Sequence, residues 1–370
     1  MLDVSQLGLV DHHCHGVVRH PLDRPTFESY LTESDRPAPE GLSRFDSQLG
    51  LAVRRWCPPL LGLDPHSPPE AYLERRAELA PEKVTRRLLL ASGISDYLVD
   101  TGLDGDLTGP PELAAASGAR AHEVVRLEAV AEAVLREGTS ATGFASAFAD
   151  ALHEAARTAV AVKSVVAYRH GLDVDPAPPA AAEVAAAAGA WLAAAERTAS
   201  PRLADPVLLR HVLWAGIDTG LPLQVHTGFG DPDLTLHRAD PALLTPFLRA
   251  ASRVDVVLLH GYPYHRNAAY LAHVFPHVYV DVGLALSHVG ARAGAVLAEI
   301  LELAPFGKVL FSTDAYGLPE LYVVGAALFR EHLGRVLNGW IADGACTAGD
   351  AERIAHLVAS ENARRVYRIG

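Results

Sequence analysis

Apolar residues in this chain gather into short continuous runs, separated by stretches with helical spacing. The first run, Leu9-Val10, leads into Asp11-His12-His13-Cys14-His15-Gly16. Ile94–Thr101, Ala121–Leu127, Ala159–Tyr168, Leu221–His226, Asp255–His260, Val278–Val282 and Lys308–Asp314 follow as seven more apolar segments of strand length. Helical patterns lie between them, among them Pro110–Gly118, Glu128–Arg136, Thr142–Arg157, Asp205–Gly220, Pro241–Ser252, Arg266–Phe275 and His288–Ala304. Pro319–Gly339, Ala348–Ala359 and Glu361–Ile369 close the chain as helices. Continuous apolar strands are the mark of a parallel sheet buried on both faces. Eight of them alternating with helices predict an α/β fold, a closed (β/α)8 TIM barrel. A doubly wound open sheet is the alternative, but no G-x-G-x-x-G follows a strand.

Residues 19–92 interrupt this alternation. Pro37, Pro39, Pro58, Pro59, Pro65, Pro68 and Pro69 break the stretch repeatedly, and Ala71–Ala80 and Glu82–Ser92 have helical spacing. The segment is too long for an ordinary connection. It reads as a helical cap inserted after the first strand of a single domain, residues 1–370, and carried over the barrel mouth.

Composition narrows the classes. The chain has 370 residues, 49% hydrophobic and 21% charged, which suits a large core and argues against disorder. A net charge of −12 without any basic run argues against nucleic-acid binding. Cys14, Cys57 and Cys346 form no disulfide framework, so a reducing cytoplasm is the expected setting. No basic and apolar leader opens the sequence, and charges interrupt the Ala-rich run Ala177–Ala199, so no membrane span is expected. Self-association is left open. Among 32 basic residues only Lys83, Lys163 and Lys308 are lysines, so a lysine at a strand end stands out.

The candidate chemistry sits at those strand ends, where barrel active sites form. His13 and His15 share one face of the first strand, and by the same alternation His12 and Cys14 face away. Lys163 lies on the fourth strand, His226 and His260 end the fifth and sixth, and Asp314 ends the eighth. Imidazoles and a carboxylate are the donors a zinc-like ion takes. Tyr168 and Arg169 follow the lysine strand, and Arg169 could clamp a substrate carboxylate bidentately. Gly228, Gly230 and Asp231 form a loop beyond His226. Tyr262, His265, Asp281 and Glu320 lie near later strand ends; His265 and Glu320 could orient ligands, and Glu320 is also a candidate substrate contact.

This order of ligands is similar to the amidohydrolase superfamily of metal-dependent hydrolases. The segments Lys163–Leu172, Pro222–Asp233, Tyr270–Ala285 and Ser312–Tyr322 resemble its amidohydrolase-2 branch. Within that branch the likeness is to the amidohydrolase domain of FluG/nodulin-type glutamine-synthetase fusions. This sequence ends at Gly370, so no ligase domain is expected. The resemblance implies one or two divalent ions, zinc or alternatively manganese. His13, His15 and Asp314 would hold one ion. Lys163, as a carbamate bridging two ions, would bring in His226 and His260; the one-ion alternative uses His13, His15, His226 and Asp314. A bound ion lowers the pKa of its water from about 16 towards roughly 7. Asp314 would then carry the proton to the leaving group, with His260 polarising the carbonyl. The implied reaction is hydrolysis of an amide, or a related C–N or ester bond, in a small carboxylate-bearing substrate. A metal-dependent decarboxylase of a small unsaturated or aromatic acid and a non-catalytic scaffold are the competing expectations.

Overall fold

A computed structural model describes residues 2–103, 105–198 and 201–370. Seven parallel strands form one sheet in chain order: β1 (Leu9–Cys14), β2 (Ile94–Asp100), β3 (Arg120–Arg126), β4 (Ala161–Ser164), β5 (Leu223–His226), β6 (Val256–Leu259) and β7 (Val278–Val280). Each step between neighbours runs through at least one helix.

The expected eighth strand, Lys308–Asp314, does not form a regular ladder. It makes a single parallel bridge, Val309 to Val280. Its backbone nevertheless reaches both edges of the sheet. Leu310 N donates to Val280 O on β7, His12 N donates to Phe311 O, and Asp314 N donates to His13 O on β1. The sheet is therefore curled until one irregular stretch touches both of its edges. Alternation explains the layering. Val10, Leu98, Val124, Ala161, Val257, Leu259 and Leu310 face one another in the interior. Leu9, Val99, Val125, Val162, Leu223, Val225, Val256, Leu258 and Val280 face the helices.

The interior is plugged by the end of the chain. Ala363, Val366 and Tyr367 of the helix Asn362–Tyr367, with Ile369 beyond it, pack into that inner cluster. Arg364 donates to Asp96 at the start of β2, and Arg120 pairs with the same carboxylate at 2.6 Å.

Two departures from simple alternation shape the site. The β1–β2 register slips between Asp11 and Cys14, where three residues of β1 span two of β2. Such a bulge re-aims side chains, and here the adjacent His12 and His13 both face inward, contrary to the alternation reading. Cys14 stays on the outer face, as expected, with Sγ against Leu98 O. Secondly, His260 (φ 69°) and Asp314 (φ 51°) adopt the left-handed conformation. That backbone is unfavourable for residues with a Cβ and gathers at functional sites.

Several element expectations shift. β4 ends at Ser164, and Tyr168 and Arg169 fall in a helical turn, Val166–Arg169, rather than on a strand. Within 19–92 there are helices Arg24–Ser29, Gln48–Trp56, Pro69–Ala77 and Pro81–Ser92. The last leads straight into β2 and packs on the long closing helix Pro319–Ala342. The expected Ala-rich helix spans Ala181–Ala195; Ala199 lies outside the described residues. The apolar run Gly283–Leu301 has the length of a membrane span. It is broken at Gly290 and packs on Gln48–Trp56 and Pro319–Ala342.

Candidate metal centre

Four of the anticipated ligands converge around one carboxylate. Asp314 Oδ1 lies 3.1 Å from His13 Nε2 and 3.3 Å from His15 Nε2, and Oδ2 lies 3.5 Å from His260 Nε2. His226 joins from β5, its ring 4.8 Å from that of His260. All five are buried except for the partly accessible Asp314. Burial favours the neutral, ligating form of the His13, His226 and His260 imidazoles. It pushes His13 down to about 3, with the Lys163 charge adding to the effect. His226 is likewise driven well below the usual range, first by burial and then by His260. Burial alone would raise Asp314, but His260, His13 and His15 together hold it well below the usual carboxylate range.

Lys163 meets this cluster from β4. Its Nζ lies 2.8 Å from His13 Nε2 and 3.2 Å from Asp100 Oδ2. Asp100 ends β2 and was not anticipated. It is buried, it is gripped by Arg126 Nη2 at 2.6 Å, and its carbonyl takes His15 Nδ1 at 3.1 Å. Opposing charges around it, Arg126 first and then Lys163, overcome burial and hold it well below the ordinary range. The only hint in the sequence is a carboxylate directly after the apolar stretch Tyr97-Leu98-Val99. Arg126 closes β3 in the same way, and its register partner on β4 is Lys163.

Of the proposed substrate contacts, one lies at the cluster. The Tyr168 ring stands 4.4 Å from that of His226. A Cβ on Gly230 would overlap the Tyr168 hydroxyl, which is why the loop after β5 needs glycine there. Arg169 turns away, with Nη1 3.1 Å from Glu132 Oε1 on the helix Leu127–Arg136, so it does not face the ligands. Glu320 does not face them either. It is fully buried, and its Oε1 takes Tyr72 OH and Arg76 Nε, both at 2.8 Å. His265 Nε2 donates to Glu299 Oε2 at 2.7 Å, and its ring stacks with Tyr262, away from the ligand cluster. Asp281, by contrast, supports the site directly: Oδ1 accepts the backbone N–H groups of His260 and Gly283 at 2.9 and 2.8 Å.

The donor set fits a divalent ion. His13, His260 and Asp314 each offer a ligand atom within 4.8 Å of the others, as do His13, His15 and Asp100. Among the described residues, His226 Nε2, His260 Nε2 and Asp314 Oδ1 are buried without a hydrogen-bond partner. Unpaired buried polar atoms are costly and scarce, and ligand-type atoms left unpaired on neighbouring residues are what a cation would satisfy.

A curled parallel α/β sheet with imidazoles and a carboxylate at its C-terminal rim is a fold like that of metal-dependent hydrolases, with a candidate metal site. The chain belongs to the amidohydrolase family, whose model matches residues 10–369. It is 34% identical over 237 residues to the protein fluG of Emericella nidulans; the match covers 61% of this chain and only 27% of that protein's length. The crystal structure of a protein classed as a metal-dependent hydrolase from Lactobacillus casei is similar throughout, with TM-score 0.84 and 28% identity over 99% of this chain and 96% of that one. A uronate isomerase from Bacillus halodurans shares the fold, with TM-score 0.65 and 14% identity over 99% and 94%.

Proposed function

We propose that this protein hydrolyses an amide, or a related C–N or ester bond, in a small carboxylate-bearing substrate, using a resident divalent ion. The observation that carries the reading is the set of unpaired, buried ligand atoms on His226, His260 and Asp314. His13, His15 and Asp314 would hold the ion, with His226 completing the set. Zinc is the ion we favour, manganese the alternative. When bound, such an ion supplies Lewis-acid polarisation and activates water. Asp314 Oδ2 accepts the proton of the attacking water and returns it to the leaving group. His260 Nε2 faces the reacting carbonyl, and Tyr168 closes the side next to His226. With Arg169 turned to Glu132, Arg126 is the cation we assign to the substrate carboxylate; its guanidinium is already oriented by Asp100.

Asp100 bears on the number of ions. A lone lysine cation beside a metal is repelled, which favours a carbamate and a two-ion site. Asp100 supplies Lys163 with a counter-charge at 3.2 Å, so an unmodified lysine and one ion are equally self-consistent and become our preferred form. The same pairing gives the decarboxylase reading its support, although that reading loses Arg169 as an anchor. Residues 19–92 we assign as a cap within one domain, and Lys308–Asp314 as the irregular eighth strand of a barrel. In support, the Tyr30 ring lies 5.2 Å from that of Tyr316, itself 6.1 Å from the His15 ring. Glu33 reaches His288 at 3.3 Å. We further propose a cytoplasmic protein that acts on small molecules.

Metal content and intact mass test this reading together. Wild-type protein is expected to carry about one ion per chain with unmodified Lys163, and His13→Ala to fold but carry none. Amide hydrolysis without release of carbon dioxide separates the hydrolase from the decarboxylase. A metal-free, inactive wild type would instead favour a scaffold.

A further inference from the structure

A chain of buried polar contacts runs behind the candidate metal centre and joins its ligand His13 and the neighbouring His260 to the helix Asn362–Tyr367. His13 Nδ1 lies 3.0 Å from Gln224 Oε1. Gln224 Nε2 donates to His12 O at 2.8 Å and to Tyr367 OH at 2.9 Å. Tyr367 OH lies 3.0 Å from His12 Nδ1. His12 Nε2 lies 2.8 Å from Asp281 Oδ2, a bent polar contact, and Asp281 Oδ1 accepts His260 N. His12, His13, Gln224, His260 and Asp281 are all fully buried, and Tyr367 nearly so.

Donors and acceptors in this chain can be satisfied in one order. The carbonyl of His12 needs a donor, which fixes the Gln224 amide with Nε2 toward it and Oε1 toward His13. Oε1 can only accept, so His13 must carry its proton on Nδ1, which leaves the Nε2 lone pair directed at Asp314 and the ligand cluster. At the other end the Asp281 carboxylate can only accept, and its 2.8 Å approach to His12 Nε2, though bent, favours the His12 proton on Nε2 with Nδ1 accepting. The Tyr367 hydroxyl is the one group that joins the halves: it accepts from Gln224 and donates to His12.

We infer that Tyr367 is a positioning residue of the metal centre: its hydroxyl locks the tautomer and orientation of His13 through Gln224 and, through His12 and Asp281, the placement of His260. This inference rests on the proposed ligand set. It gives the C-terminal helix a functional role beyond plugging the barrel interior. Partners that orient ligating histidines matter in general, and their removal weakens metal affinity by about 10–100-fold.

The test uses the full chain, stripped of metal and titrated with zinc against a chromophoric chelator, then loaded with cobalt(II) for its visible spectrum. Tyr367→Phe removes one oxygen and no volume, so the fold is expected to persist by circular dichroism. The variant is expected to bind zinc about 10–100-fold more weakly than wild type and to show an altered cobalt spectrum. Gln224→Met, which cuts the link on the His13 side, is expected to do the same and carries the test if Tyr367→Phe does not fold. A merely structural tyrosine would lower the melting temperature and leave both readouts unmoved, and that result overturns the inference. Wild type that binds no zinc in the site overturns the ligand set itself, an outcome distinct from intact binding in the variants.

Discussion

Asp314→Asn is expected to abolish metal retention and to lower turnover by at least roughly 10²–10⁴-fold, the range typical of a lost general acid–base group. Asp314 is the residue about which the other ligands are arranged. It lies within 3.1–3.5 Å of His13, His15 and His260 from three different segments. Asparagine has the same shape, and it tolerates the left-handed backbone that Asp314 adopts. The backbone bond from residue 314 to His13 O is therefore retained. What is lost is the negative charge, which balances an incoming cation and accepts a proton. Metal content by elemental analysis, together with turnover of any amide the wild type cleaves, checks this. A variant that keeps both its ion and its rate would remove Asp314 from the chemistry.

The second large effect is on stability. Arg76→Met is expected to destabilise the fold by about 3–5 kcal/mol, because it strands a buried carboxylate. Glu320 is fully buried at the start of the helix Pro319–Ala342, and its Oε1 is held by Arg76 and Tyr72 from the helix Pro69–Ala77. Its other oxygen has no hydrogen-bond partner among the described residues. Removing the guanidinium leaves one hydroxyl to satisfy a desolvated charge. The double variant Arg76→Met/Glu320→Gln removes the charge as well and is expected to recover much of the loss. Urea denaturation measures both. A single-variant cost below about 1 kcal/mol, the size of an exposed ion pair, would mean that the pair is far better hydrated than its burial indicates.

The sequence made the α/β alternation and most of the side chains that converge on Asp314 legible, for a physical reason. Strands buried on both faces must be apolar, so a polar residue at the end of such a run stands out: His226, His260 and Asp314 were found that way. The same rule applies to Asp100 and Arg126, but these belong to no His-rich pattern and drew no attention. Alternation failed between His12 and His13, which both face inward across a bulge that leaves no mark in the residue string. The left-handed backbone at His260 and Asp314 is equally invisible in composition. Arg169 and Glu320 do not face the cluster because position near a strand end does not fix side-chain direction. Arg169 sits in a helical turn that aims it at Glu132, and Glu320 opens a helix whose first turn is covered by Arg76 and Tyr72. Tyr367 could not have been singled out, since its role exists only once the last helix has folded back beneath β1 and β5. Arg76 and Glu320 are 244 residues apart, and nothing local announces their pairing.

Anomalous diffraction from crystals loaded with zinc or manganese tests the central claim most directly. The expected result is a strong peak within bonding distance of His13 Nε2, His15 Nε2 and an oxygen of Asp314. An ion bound elsewhere on the chain, with those atoms still facing one another and no peak between them, would contradict the account.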